Sequence, residues 1–231
     1  SRLGALGFLQ RTDQQFHWLN EGYESFDDFL GALTSRKRKT IRRERRAARE
    51  SGIEIEIVSG PELTEAHWDA FYHFYQNTGS RKWGRPYLNR RFFSVIGERM
   101  ADRIALVMCS REGRWIAGAL NFIGDETLFG RYWGCIEEHR FLHFEACYYQ
   151  AIEHAIQRGL KCVEAGAQGP HKLARGYLPT HIYSAHWIGE RRFRDAVEDY
   201  LAHERREVDR DIAHLAEFAP YRSDQEGAES E

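Results

Sequence analysis

No stretch of this 231-residue sequence approaches the ~20 consecutive apolar residues that a membrane-spanning helix needs. The amino terminus also lacks the basic-then-apolar layout of a secretory signal. The chain opens on Ser1-Arg2-Leu3-Gly4 without an initiator methionine, as a fragment or trimmed chain would. None of the four cysteines stands in a C-x-x-C pair, so the thiols read as reduced and the expected compartment is the cytoplasm. One spacing invites a metal reading, because Cys135, His139, His143 and Cys147 recur every four residues. However, Gly134 and the apolar Phe141-Leu142 imply a strand end, a loop and a helix start across that stretch. The four side chains then need not converge, and no metal is expected.

What is present describes a folded protein. Apolar residues make up 42% and aromatics 13%, and the length suits one large domain, expected over 1–222, with an acidic, disordered tail at 223–231. The net charge of −2 is unevenly spread. Nine Lys/Arg and one acid, Glu44, lie between Ser35 and Arg49, a local +8 that leaves −10 for the rest of the chain. A basic segment on an acidic protein points to a local anionic partner rather than general affinity for polyanions.

Hydrophobic spacing predicts a long helix from Phe26 to about Glu50, stopped at Gly52, then a strand in the period-two run Ile53–Ile57. Thr64 can cap a helix to about Asn77, and Pro86 suits the first turn of another that ends near Met100. Three apolar runs, 104–109, 115–123 and 127–133, separated by short turns, predict an antiparallel meander. A helix carrying Leu142, Ala146, Tyr149, Ile152, Ile156 and Leu160 closes at Gly159. Strands at 162–165 and 182–188 and a last helix, 191–218, follow. That last helix is expected to turn Phe193, Val197, Leu201, Val208, Ile212 and Leu215 inward. The order gives a mixed α/β (α+β) fold, a largely antiparallel sheet covered by helices.

Chemistry concentrates in a few places. Glu164 ends a strand, a glycine-rich loop follows, and Gln168, His171, Lys172 and Arg175 come within eight residues. The plainer reading of that loop is a turn with solvated charges. The functional one supplies a base and cations for a transfer reaction. His143 and Glu145 sit where a helix begins; Glu145 either complements the helix dipole or faces the same cleft as the loop. Tyr148 and Tyr149 cannot share one buried helical face, and Tyr149 fits the core stripe, which frees Tyr148 to line a pocket. Arg81, Lys82 and Trp83 form a second basic patch, in which Trp83 either stacks on a ring or joins the core. Along Ser35–Arg49, like charges repel at i,i+4 spacing, so phosphate is a natural counterpart, with Lys39, Arg42 and Arg46 as candidate contacts.

Three stretches carry a resemblance: Asp13–Trp18 leading into Phe26–Glu50; Thr78–Tyr87; and His143-Phe144-Glu145-Ala146-Cys147-Tyr148-Tyr149-Gln150, running on to Glu164–Tyr177. Together they resemble a bacterial family of predicted N-acyltransferases of the GNAT superfamily, termed FemAB-like and linked to peptidoglycan. The resemblance covers nearly the whole chain, although members of that family are longer at the amino terminus, so their first half would be missing here. It implies the GNAT-like fold and transfer of an acyl or aminoacyl group to an amine acceptor, a small molecule or a peptide. FemX-type relatives draw on aminoacyl-tRNA, whereas typical GNAT enzymes, N-acetyltransferases among them, use acetyl-CoA. The basic helix resembles the Arg-rich helix of FemX-type proteins, and Gly169–Tyr177 their glycine-then-Lys loop. The Gln/Arg-x-x-Gly-x-Gly/Ala turn of CoA-binding members has no counterpart at Gly134–Arg140, which favours the aminoacyl donor.

The resulting expectation is a cytoplasmic N-acyltransferase that binds no cofactor tightly and takes aminoacyl-tRNA or acyl-CoA as co-substrate. Glu164 or Glu145 would act as base, with His143 the alternative to Glu145 at the helix start, and Lys172, Arg175, Arg131 and the basic helix would hold anionic groups. The rivals are a noncatalytic RNA- or anion-binding module that keeps the fold, and a half-domain that supports a missing catalytic half.

Overall fold

The computed structural model describes residues 2–50, 52–82, 86–167 and 169–222. Trp83, Gln168 and the tail from 223 therefore lie outside the described residues, and of Lys82 only its backbone, at the end of a helix, is described. In chain order the elements are α1 (Arg2–Ala5), β1 (Leu9–Leu19), α2 (Phe26–Ala32), α3 (Ser35–Arg49), β2 (Ile53–Val58), α4 (Glu65–Lys82) and α5 (Arg90–Met100). There follow β3 (Ile104–Arg111), β4 (Arg114–Ile123), β5 (Thr127–Cys135), α6 (Leu142–Phe144), a π-turn (Glu145–Tyr149) and α7 (Gln150–Gln157). The last elements are β6 (Cys162–Glu164), β7 (Leu178–His186) and α8 (Arg191–Ala216). They fall into two compact units: a smaller one of residues 1–17 and 166–220, and a larger one of 18–165 and 221–231.

The larger unit is built on the expected meander. β2 pairs with β3, β3 with β4 and β4 with β5, all antiparallel, and β6 joins β5 in parallel. Alternation along the strands fills two cores. Leu106, Met108 and Leu120 face Trp68, Phe71 and Phe93 of α4 and α5. Val107, Cys109, Ala117 and Ala119 face Leu142 and Ala146. Helices thus cover both faces of a mostly antiparallel sheet, the mixed α/β fold that the element order implies.

The long helix expected over 26–50 is two helices. Ser25 caps α2 in a reciprocal capping box with Asp28, and Leu33 then turns extended and bridges to Tyr221, which breaks the run before α3. The helix expected from Pro86 begins at Arg90 instead, because the Asn89 side chain accepts the Phe92 N–H and sets the cap. Gly159, at φ +66°, ends α7 as expected.

In the smaller unit, β1 pairs antiparallel with β7 from Leu9↔His186 to His17↔Leu178. α8 does not turn its apolar residues inward as expected. Of that set only Leu201 is buried, Val197, Val208, Ile212 and Leu215 are half-buried, and Phe193 is 60% exposed. A single antiparallel pair offers the 26-residue α8 too little apolar surface to bury the whole stripe.

Two packing features yield tests. β5 runs so close to α4 that a Cβ on Gly134 would lie 2.4 Å from both the carbonyl carbon and oxygen of Phe74. Gly134→Ala should therefore cost about 2–3 kcal/mol in urea unfolding, since backbone must move. Gly31→Ala, at an open site in α2, should stabilise by a few tenths to about 1 kcal/mol. Equal effects would refute the close approach.

The second feature is His154 of α7, only 8% exposed, whose Nε2 has no hydrogen-bond partner among the described residues. Burial lowers its pKa to about 4, and Arg158 adds to the shift. A folded-state pKa below the unfolded value of ~6.5 means stability that is complete above that pH and drains away toward pH 4. His154→Leu should lose less stability than the parent between pH 7 and pH 4.5; parallel losses would show that this imidazole does not carry the effect.

Candidate functional site

The site grows from a defect in strand pairing. β5 pairs with β6 only over Thr127–Phe129, opposite Cys162–Glu164, and then runs on to Cys135 without it. Gly130 marks the parting: a Cβ there would press to 3.3 Å from the Glu164 carbonyl oxygen. One residue later the β4–β5 register slips, with Leu120 opposite Tyr132 and Asn121 opposite Gly130, so Arg131 is the extra residue of a bulge. Such bulges re-aim side chains at strand ends and beside sites.

A recess of about 130 Å³ opens there, lined by β4 residues around Asn121, by Gly130–Trp133, by Ala165, and by His143, Cys147 and Tyr148. The buried Asn121 amide donates to the carbonyls of Ala105 (3.1 Å) and Ala119 (3.4 Å), which fixes the floor. The Tyr132 hydroxyl pairs with Tyr87, and burial first, then that hydrogen bond, push its pKa up to about 12. It stays protonated at neutral pH.

The wall opposite β5 is the α6–π-turn–α7 helix. A π-turn widens the coil, so residues five apart become neighbours. His143 and Tyr148 meet edge to face with ring centroids 5.4 Å apart, and Trp133 meets His143 at the same distance. The widening also buries both tyrosines, which a regular helix would not: Tyr149 is 0% and Tyr148 5% exposed. Tyr148 does line the recess, but from a buried position. Beyond Trp133 and His143 the recess adjoins a second compartment of about 480 Å³, bounded also by Thr78, Arg81, Cys135, Glu137, Glu138 and His139. Arg81 is spent there on Glu138 (2.8 Å) and the Cys135 carbonyl (3.3 Å).

Glu145 points elsewhere. Its carboxylate is fully buried and accepts from Arg45 Nε (3.1 and 3.2 Å), Arg45 Nη2 (3.1 Å), Arg49 Nη2 (3.2 Å) and Gln150 Nε2 (2.8 Å). Burial works against the Arg45 charge, but Glu145 and Glu153 outweigh it and raise its pKa. Buried Glu44 accepts from the Tyr149 hydroxyl, and Arg42 pairs with Asp27. Of the nine cations of α3, Arg42, Arg45 and Arg49 are therefore matched by the protein's own carboxylates. Arg36, Lys39, Arg43 and Arg46 are exposed, as is Arg42.

In the smaller unit, Lys172 is 4% exposed, donates to the Gly166 carbonyl (3.0 Å) and lies 5.8 Å over the Phe16 ring. Arg175, 7% exposed, donates to the His171 carbonyl (2.7 Å). Burial, then Arg175 and Lys172, lower the His171 pKa, so it is neutral at pH 7. The Lys172 and Arg175 side chains thus bind carbonyls of their own loop. Glu164 is half-buried at the end of β6, one residue before the Ala165 that lines the recess.

The structure thus brings Arg131, His143 and Tyr148 into one recess, with Arg81 in the compartment beside it. Among the described residues no group of three or more His, Cys, Asp or Glu is arranged to hold a metal ion. Sequence reasoning missed Trp133, Asn121 and Cys147 as lining residues. The signal for Trp133 was a large aromatic closing an alternating strand just before Gly134; nothing local announced the bulge.

The chain shares its overall fold with known structures. It aligns with FemX at a TM-score of 0.60 and 13% identity, over 85% of this chain and 69% of that one. It also aligns with the C-terminal domain of a protein named as a lysylphosphatidylglycerol synthetase from Agrobacterium fabrum (TM-score 0.52, 9% identity, 71% of this chain, 49% of that one). A conserved protein of unknown function from Bacteroides thetaiotaomicron aligns at a TM-score of 0.50 and 13% identity (77% of this chain, 62% of that one). At these identities the likeness is one of fold. No curated protein sequence matches the chain. Residues 1–223 match the FemAB-like family, described as peptidoglycan biosynthesis/recognition, and the chain belongs to that family.

The ion cluster gives the test of this geometry. Arg45→Ala would leave the Glu145 carboxylate buried with only the half-exposed Arg49 and a neutral amide, at a cost of about 3 kcal/mol in urea unfolding. A loss below about 1 kcal/mol, the range of surface pairs, would contradict the buried pair.

Proposed function

We propose that the chain transfers an acyl or aminoacyl group from a carrier to an amine, with the reacting carbonyl seated in the recess where β5 parts from β6. The observation that carries this reading is that parting. Past Phe129 the β5 edge is free of its β6 ladder, and backbone amides on such an edge can polarise a carbonyl as it becomes an oxyanion. His143 is the base in this reading, because the Glu145 carboxylate is taken by Arg45, Arg49 and Gln150 and neither Glu145 nor Glu164 lines the recess. Arg131 holds an anionic group of donor or acceptor. The family description favours a peptidoglycan peptide as the source of the amine.

The exposed cations of α3 favour a carrier rich in phosphate, aminoacyl-tRNA before acyl-CoA. They are also the feature that would serve a noncatalytic RNA-binding module, so activity and binding must be read together. The experiment combines discharge of charged tRNA and of acetyl-CoA with filter binding of bulk tRNA across a salt series. His143→Ala should cost on the order of 10²–10⁴ in transfer rate. Replacing Lys37, Lys39, Arg42 and Arg46 by Ala should flatten the salt slope by about 0.7 for each single-strand phosphate that is no longer neutralised. Absence of tRNA binding at low salt would eliminate the aminoacyl-tRNA donor, and discharge of neither carrier would sink the transferase reading.

A further inference from the structure

We propose that transfer in this recess proceeds in two steps through a thioester on Cys147, with His143 carrying the proton. The proposal rests on the reading of the recess as the transfer site and adds the residue that accepts the group.

Four thiols could be considered, and three are set aside by their surroundings. Cys109 is fully buried and its pKa is pushed up to about 12 by burial. Cys162 is pushed up to about 11 by burial, with the Glu164 charge adding to it. Cys135 is 7% exposed, under the Arg81 guanidinium. Cys147 is half-buried and lines the recess itself. Among the described lining residues there is no Asp or Glu, whereas Arg131 and His143 are both present. Reactive thiols are found in such partly exposed, electropositive surroundings, because cations favour the thiolate. His143 and Cys147 stand on the same wall of the recess, His143 on α6 and Cys147 on the π-turn that follows it. A nucleophile and a base in one cavity is the arrangement for covalent acyl transfer.

Volume argues for two steps. A recess of about 130 Å³ is well below the ~300 Å³ at which ligand pockets begin and suits an acyl group alone. The adjoining compartment of about 480 Å³, which shares Trp133 and His143 with the recess, offers one approach for both the carrier and the amine. A thioester lets them use it in turn. In the first step His143 takes the Sγ proton, Sγ bonds to the carbonyl carbon, and the carrier's C–O or C–S bond breaks, its leaving atom taking that proton. In the second the amine nitrogen bonds to the same carbon, the C–Sγ bond breaks, and His143 passes the ammonium proton to Sγ.

The test uses p-nitrophenyl acetate and acetyl-CoA as donors without amine, followed by intact-mass and peptide-mapping mass spectrometry. The expected result is one acetyl group per chain, on Cys147, discharged when glycinamide is added. Cys147→Ala should abolish the label and reduce transfer at least about 100-fold, and His143→Ala should slow labelling while near-UV circular dichroism stays that of the parent. Absence of label on Cys147 from either donor, or label confined to another residue, overturns the proposal. Transfer by Cys147→Ala at the parent rate overturns it too and leaves direct attack by the amine, with the acyltransferase reading intact. Absence of both label and transfer from any carrier removes the two readings together.

Discussion

A carboxylate removed from water must be met by charge and hydrogen bonds where it lies, and Glu145 is where the larger unit concentrates that demand. Its fully buried oxygens gather Arg45 and Arg49 of α3 and Gln150 of α7. Arg45 reaches onward to Glu153 and lies 4.2 Å over the Phe26 ring of α2. Three helices are thereby pinned at the turn whose Cys147 and Tyr148, with His143 of the preceding α6, line the recess. The acid lends the site its position rather than its own reactivity, since uncompensated burial of that charge would cost more than most single interactions return.

The sheet supplies the second half of the site by interruption. A continuous β5–β6 ladder would close the gap that the recess occupies. Gly130 allows the close approach before the strands part, and the Arg131 bulge then re-aims a guanidinium. Gly134, pressed against the α4 backbone, holds the far end of β5 in place. Small residues and one register slip thus decide where the β5 edge leaves its β6 partner.

Much of the fold was legible because it rests on local pattern. The apolar runs and turns of 104–135 name the meander, and Gly159 names the end of α7. The break at Leu33 was hidden, since it depends on pairing with Tyr221 at the other end of the chain. The Arg45–Glu145 pair spans 100 residues, which periodicity cannot see. Glu145 beside Ala146 in an apolar stripe was the one hint that a partner was required. The π-turn has no composition of its own, so the burial of both Tyr148 and Tyr149 contradicted a helical-wheel argument that was sound for a regular helix. His143 and Arg131 were visible as residues of the right kind. That the cleft acid would be spent on an ion pair was not, because charge on a helix start reads the same in either role.

In the proposed reaction the gap between β5 and β6 receives the reacting carbonyl. A crystal structure of the chain with a hydrolysis-resistant amide analogue of an aminoacyl-adenosine ester tests it most directly. The acyl carbonyl is expected beside Gly130 and His143, with the adenosine toward the compartment bounded by Arg81 and Glu138. Density for the analogue anywhere else, with the recess empty, would contradict it.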